Sequence, residues 1–190
     1  NKNEFKPYIS ADKVLPELTI TSIITGLILA VVFGAANAYL GLRVGMTISA
    51  SIPAAVISMG IIRVIMRRNS ILENNMVQTI GSAGESLAAG AIFTLPALFM
   101  WAAESSSVAA PSFWNIAMLG LFGGILGVLF MIPLRNALIV EEHGVLPFPE
   151  GTACAEVLLA GEEGGAKTKV VFSGLGIAAI YKFIADGIKL

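Results

Sequence analysis

A cluster of polar residues at positions 74–89 has the residue types and spacing that could do chemistry. Four of them are spaced three, four and three residues apart, so a continuous helix would place them along one face. They are Asn75, Gln78, Ser82 and Glu85. A carboxylate in apolar surroundings is costly in a bilayer and usually marks an ion or substrate path. Glu85 is therefore the candidate proton-responsive carboxylate, because a proton-coupled carrier needs a group that gains and loses a proton as its cavity opens to either side.

The side-chain amides of Asn75 and Gln78 could bind amide or carboxylate groups of a substrate, since each supplies donors and acceptors. A run of small residues, 81–84, lies inside this stretch, and a break there would add free backbone groups to the polar face. We expect a broken segment over residues 71–103. Two simpler interpretations stay open: the polar side chains only hydrogen-bond neighbouring helices, or Glu85 lies in the cytoplasmic interface.

A second candidate stretch follows His143 and contains two prolines, Pro147 and Pro149. The prolines prevent one helix from running through, and Pro149 is well placed to start a new one. We expect an extended entry, a short helix over residues 151–160 and a re-entrant hairpin over residues 144–160. Glu150 would lie at the helix N-terminus, where backbone N–H groups favour an anion, so simple capping is the alternative to a role in transport. Glu156 lies six residues further on and need not share the face of Glu150.

The elements that position these residues must lie in lipid, as the composition indicates. Hydrophobic residues make up 56% of the 190 residues and charged residues only 13%, and the mean hydropathy is +0.82. A water-soluble domain has roughly 25% charged residues, because it needs them to cover its surface. The sequence therefore predicts an all-α, polytopic membrane protein.

Four uncharged or nearly uncharged runs have the length of about 20 residues that a helix needs to cross a bilayer. They cover residues 18–40, 46–66, 83–103 and 115–134. The 145–160 run is too short and is interrupted by prolines and glutamates, and the 170–190 run carries three charged residues. We therefore expect about four full spans, plus broken or re-entrant segments, within a transmembrane domain over residues 18–190 that is part of a larger helical bundle.

The distribution of basic residues predicts the orientation, because positively charged loops tend to stay in the cytoplasm. With four alternating spans, every basic cluster falls on one side of the membrane. The clusters are Lys2, Lys6 and Lys13, then Arg67 and Arg68, then Arg135, Lys167 and Lys169. We expect a multi-pass protein of the cell membrane with a cytoplasmic N-terminus and a cytoplasmic lead-in over residues 1–17.

Several classes of function are excluded or disfavoured. The net charge of −1 leaves no basic surface for nucleic acid. One cysteine and one histidine give no metal-binding cluster, so no metal and no cofactor is expected. We also find no nucleophile–base pair and no phosphate-binding loop, which argues against an enzyme.

Three blocks of this sequence resemble the oligopeptide transporter (OPT) family, and more closely its prokaryotic yellow stripe-like branch. They are NAYLGLRVGMTISASIPAA, NNMVQTIGSAGESLAAGAIFTLPAL and GVLPFPEGTACAEVLLAG. The resemblance implies a secondary transporter, usually proton-coupled, that imports small peptides or metal complexes of peptide-like chelators. It implies that Thr79 belongs with the polar residues of the block NNMVQTIGSAGESLAAGAIFTLPAL. It also implies that Glu150 and Glu156 are characteristic residues of the block GVLPFPEGTACAEVLLAG. Members of this family are much longer, so we expect this chain to be an N-terminal portion whose partners include the rest of the same transporter.

The sequence thus predicts part of a proton-driven importer that works by alternating access. The expected substrate and proton path is lined by Asn75, Gln78, Thr79, Ser82, Glu85, Glu150 and Glu156. A passive channel and a structural membrane subunit that is complete at about 190 residues are the alternatives.

Overall fold

A computed structural model describes residues 7–10, 12–67, 70–105, 107–163 and 165–188. In this part of the chain every regular element is helical, and the only strand-like pairing is an isolated bridge between His143 and Leu146. The helices are α1 (Ile20–Val44), α2 (Ser51–Gly60), α3 (Ile71–Glu104), α4 (Phe113–Arg135), α5 (Pro149–Glu163) and α6 (Gly165–Ile188). The predicted all-α fold is confirmed.

Four helical stretches are long and apolar enough to cross a membrane. They are Ile20–Val44, Ile71–Glu104, Phe113–Glu141 and Thr168–Ala185. The third consists of α4 and a π-helical continuation, Asn136–Glu141. This confirms a polytopic helical membrane protein. Of the basic residues used to predict its orientation, Lys2, Lys6, Arg68 and the side chain of Lys167 lie outside the described residues.

The predicted span over residues 46–66 is not one continuous helix. Gly45 ends α1 in the left-handed conformation, with φ of 77°, and residues 46–50 are not helical. Helix α2 and the π-helical turn Ile61–Ile65 that extends it hold 15 residues, about 22 Å of helix against a core of about 30 Å. An uncharged run overestimated the helix here because part of it forms a loop. The fourth helical stretch that is long and apolar enough to cross a membrane lies in α6.

The break expected within residues 71–103 is also absent, since α3 is one continuous helix through Gly81 and Gly84. These glycines serve close packing instead of interrupting the helix. A Cβ atom on Gly84 would collide with the carbonyl group of Ala30 in α1. Helix α3 is about 51 Å long, which exceeds the thickness of the hydrocarbon core.

The chain divides into two compact units, and the unit formed by Asn1–Val14 and Gly90–Phe148 contains α4. Helix α4 is apolar around its whole circumference and has no buried residue among those the structure describes. A helix of this kind requires lipid or further protein around it.

The other unit, Leu15–Ala89 and Pro149–Leu190, contains the buried core. One hydrophobic cluster joins α2 to α5 and consists of Ala55, Val56, Met59, Cys154 and Leu158. A second cluster joins Leu29 of α1, Ile62 and Val77 of α3. Helix α5 begins at Pro149, the proline expected to start a helix, and continues to Glu163, so it is longer at both ends than the predicted helix over residues 151–160. The short helices α2 and α5 are therefore packed together inside this unit.

Candidate functional site

Residues 45–50 form an irregular segment between α1 and α2, which we call the 45–50 segment. Only its two ends take part in helical hydrogen bonds. The N–H of Gly45 donates to the carbonyl of Gly41 at the end of α1, and the carbonyl of Ala50 accepts from the N–H of Ala54 at the start of α2. Irregular backbone at membrane depth is tolerated only where protein or a water-filled cavity covers it. The side chains that bond to this segment therefore identify the place where function is to be sought.

Asn37 of α1 is hydrogen-bonded to the middle of the 45–50 segment. Its side chain is 1% exposed. The Nδ2 group donates to the carbonyl of Ile48 at 2.9 Å, and Oδ1 accepts from the N–H of Ile48 at 3.1 Å. Sequence reasoning missed this residue, although an asparagine inside the apolar run 18–40 was the available signal.

Glu85 of α3 is hydrogen-bonded to the last residue of the 45–50 segment. Its carboxylate Oε2 accepts a hydrogen bond of 3.2 Å from the N–H of Ala50, which directly precedes α2. Glu85 is 9% exposed and Ala50 is 3% exposed. The alanine side chain cannot cap α2, and α2 has no side-chain cap hydrogen bond. The carboxylate of Glu85 bonds to the N–H of the N-cap residue itself and lies at the positive end of the α2 dipole.

Glu150 and Cys154 of α5 contact the same region. The hydroxyl of Ser49 donates to the carboxylate Oε1 of Glu150, and the thiol of Cys154 lies 3.7 Å from the carbonyl oxygen of Ser51. Glu150 lies in the first turn of α5, as the sequence predicts. Burial raises the pKa of the Cys154 thiol, and the negative charge of Glu150 raises it further. Three helices thus converge on the 45–50 segment.

The other polar residues predicted on this side of α3 are less buried than Glu85. They are Asn75, Gln78, Thr79 and Ser82, and we call them the polar stripe. The buried residues of α3 are Glu73, Asn74, Val77, Gly81 and Glu85, and they lie on a face adjacent to the stripe. Asn75 and Thr79 are exposed, while Gln78 and Ser82 are half-buried.

The hydroxyl groups of the stripe bond to their own helix. Thr79 donates to the carbonyl of Asn75 at 2.8 Å, and Ser82 donates to the carbonyl of Thr79 at 3.2 Å. Glu85 lies where the buried face meets the stripe, and the stripe itself is left uncovered by the described residues.

Glu156 lies apart from the contacts of Glu150. It is exposed and lines a groove of about 610 Å³ beside α5 and the start of α6. The other lining residues are Ala153, Val157, Leu159, Ala160, Glu163, Val170 and Val171. Within the described residues, no group of three or more histidine, cysteine, aspartate or glutamate side chains is placed to hold a metal ion.

Glu73 is a second buried carboxylate of α3 that sequence reasoning missed. It is fully buried and accepts a hydrogen bond from the hydroxyl of Thr19. Thr19 also caps α1 in a reciprocal pair with Ser22. Glu73 therefore connects the starts of two long helices, away from the 45–50 segment.

Comparison with known proteins gives two matches. The family described as OPT oligopeptide transporter protein matches residues 17–189. A protein of Haemophilus influenzae that carries the name of an oligopeptide transporter is 43% identical over 154 residues. That alignment covers 80% of this chain and 23% of the relative, so the chain spans less than a quarter of the relative's length. No solved structure matches the chain at a significant level.

Proposed function

Because this chain belongs to the OPT oligopeptide transporter family, we propose that it is part of a secondary active importer of oligopeptides or peptide-like metal chelates. The transporter is coupled to protons and works by alternating access. Family membership supports transport of peptides across a membrane and argues for a transporter rather than an enzyme. The assignment to the prokaryotic yellow stripe-like branch stays a prediction.

The protein is a multi-pass membrane protein, and we place it in the cell membrane with its N-terminus in the cytoplasm. The basic residues of the lead-in, Lys2, Lys6 and Lys13, support this orientation. The remainder of the transporter chain, supplied by the much longer full-length protein, is its principal protein partner. It would cover the apolar surface of α4 and enclose the polar stripe of α3.

The observation that carries the proposal is the position of Glu85. This buried carboxylate bonds to the start of α2 on one side and borders the uncovered polar stripe on the other. Carriers commonly build their binding sites from short, interrupted helices, and α2 is such a helix. Protonation of Glu85 would remove the negative charge from the α2 N-terminus and weaken the hydrogen bond that Glu85 accepts from the N–H of Ala50. Proton binding would thereby be coupled to movement of the 45–50 segment.

Asn75, Gln78, Thr79 and Ser82 line the path in this proposal, since they present amide and hydroxyl groups on the uncovered face of α3. The region 144–160 acts as a gate. Its glutamate Glu150 contacts the hydroxyl of Ser49, so displacement of α5 would be transmitted to the 45–50 segment. Glu156 would contribute a negative charge to the groove along α5.

The test is uptake of a labelled tripeptide by the full-length protein in proteoliposomes with an inward proton gradient. Glu85→Gln keeps a carbonyl acceptor for Ala50 but removes the titratable charge. It should abolish accumulation against a gradient while preserving exchange of internal for external peptide. The matched control is Glu73→Gln, which changes another buried glutamate of α3 and should still accumulate peptide.

Unchanged uphill uptake by Glu85→Gln would remove Glu85 from the proton path. Equilibration of peptide without accumulation by the unmodified protein would indicate a channel. The absence of any peptide movement would indicate a structural subunit.

A further inference from the structure

Asn37 is the most deeply buried side chain that contacts the 45–50 segment. We propose that Asn37 is a positioning residue for transport: it fixes Ile48 so that Ser49 reaches Glu150 and Ala50 reaches Glu85. This inference rests on the proposed function, because it assigns Asn37 a role in the same transport cycle.

The geometry of the Asn37 contact is that of a paired peptide group. The side-chain amide makes two hydrogen bonds with a single residue, one to the carbonyl and one to the N–H of Ile48. Two bonds to one residue fix both the distance and the orientation of its backbone, whereas one bond would leave it free to rotate. Among the twenty side chains only asparagine and glutamine offer a donor and an acceptor in this planar form.

The position of Ile48 determines the positions of the next two residues. Consecutive Cα atoms are about 3.8 Å apart, so Ser49 and Ala50 cannot move independently of Ile48. Ser49 donates to Glu150 of α5, and Ala50 donates to Glu85 of α3. Asn37 thus acts on both carboxylates through the backbone and not by direct contact.

Loss of the amide would leave the backbone N–H and C=O groups of Ile48 without these two partners. Such groups seek other donors or acceptors, and the segment would shift to find them. The hydroxyl of Ser49 and the N–H of Ala50 would then leave the two carboxylates. A substrate site that depends on the 45–50 segment would bind its peptide more weakly.

The test uses the full-length transporter in proteoliposomes and measures KM and the maximal rate for a labelled tripeptide. Asn37→Leu removes both hydrogen bonds at similar side-chain volume. It should raise KM by about 5-fold or more, as expected for the loss of two hydrogen bonds. Asn37→Ser leaves room for water and is the second variant, used if Asn37→Leu does not fold. It should also raise KM.

The matched control is Leu29→Ala, which shortens a buried side chain on the same helix without touching the 45–50 segment. It should lower the melting temperature and leave KM unchanged. If the Asn37 variants lose thermal stability but keep the wild-type KM, the role of Asn37 is packing alone and the proposal is overturned.

Hydrogen–deuterium exchange provides a readout that does not require transport. In Asn37→Leu the peptide covering residues 45–50 should exchange faster, including at Ala50, which Asn37 does not touch. Leu29→Ala should not change that peptide. Unchanged exchange overturns the positioning role. If exchange rises as expected but the unmodified protein moves no peptide, the proposed transport function fails while the link from Asn37 to Ala50 stands.

Discussion

The hydroxyl of Thr19 donates a hydrogen bond of 2.7 Å to the carboxylate of Glu73, which ties the start of α1 to the start of α3. Glu73 is fully buried, and Thr19 is also the N-cap of α1. One hydroxyl therefore contributes to helix capping and to a contact between two helices, through residues that are 54 positions apart in sequence. It joins α1 and α3 at their N-terminal ends, away from Glu85.

Thr19→Val should destabilise the protein, because it removes the cap and the bond to a buried carboxylate while keeping the shape of the side chain. The expected loss is about 2.5–4 kcal/mol, from roughly 1 for a cap and roughly 1.5–3 for a hydrogen bond to a charged group. The melting temperature of the purified full-length protein measures it. Thr19→Ser keeps the hydroxyl and should melt close to wild type; equal losses in both variants would refute the role of the hydroxyl.

Gly84 should tolerate no side chain. A Cβ atom there would collide with the carbonyl group of Ala30, so Gly84→Ala must push α1 and α3 apart. Overpacking of this kind costs about 1–3 kcal/mol. Gly90→Ala lies on the same helix with no atom within 4 Å of the added methyl group. It should be neutral or stabilising by up to about 1 kcal/mol, because alanine favours a helix more than glycine does. Similar melting temperatures for both variants would contradict this packing.

The helix lengths could be predicted from the sequence where hydropathy alone determines them. The apolar runs 18–40 and 115–134 correspond closely to α1 and α4, because helix length and hydropathy are local properties. The run 46–66 did not, since the left-handed conformation of Gly45 cannot be read from hydropathy. Glycines near position 84 indicated a break, whereas they meet another helix that the local sequence does not specify.

The candidate site was predictable in its residue types but not in its contacts. Glu85 and Glu150 were identified because charged residues in apolar sequence are unusual. Their partners Ala50 and Ser49 are 35 and 101 residues away in sequence, and backbone or hydroxyl groups carry no sequence signal of their own. Asn37 was overlooked because a single amide in an apolar run has no neighbouring polar residue to form a pattern.

Cys154 should react slowly with maleimide at neutral pH. The thiol is buried beside α2, and burial together with the charge of Glu150 raises its pKa. A raised pKa means that the reactive thiolate appears only at higher pH than for a free cysteine, so labelling should accelerate as the pH increases. Peptide-resolved mass spectrometry measures this rate. Ala155→Cys introduces a thiol at the exposed neighbouring position and should label faster; equal rates would show that Cys154 is accessible.

Thr79 and Thr94 provide a matched pair for testing the polar stripe. Both are exposed on α3, and each donates to the carbonyl four residues earlier, Thr79 to Asn75 at 2.8 Å and Thr94 to Gly90 at 3.0 Å. Valine at either position removes the same local hydrogen bond and keeps the side-chain shape, so the two variants should have similar melting temperatures. Only Thr79 lies next to Gln78 and Ser82.

Thr79→Val should therefore reduce peptide uptake by about 2- to 13-fold, the equivalent of one hydrogen bond to the substrate or its water. Thr94→Val should transport at the wild-type rate. Initial rates in proteoliposomes with equal amounts of reconstituted protein measure the difference. Equal reductions in both variants would mean that the hydroxyl supports the helix alone, because the hydrogen bond to the backbone is the feature they share. A reduced uptake rate in Thr79→Val but not in Thr94→Val would distinguish the polar stripe from the rest of α3. It would support the assignment of the stripe as the transport path.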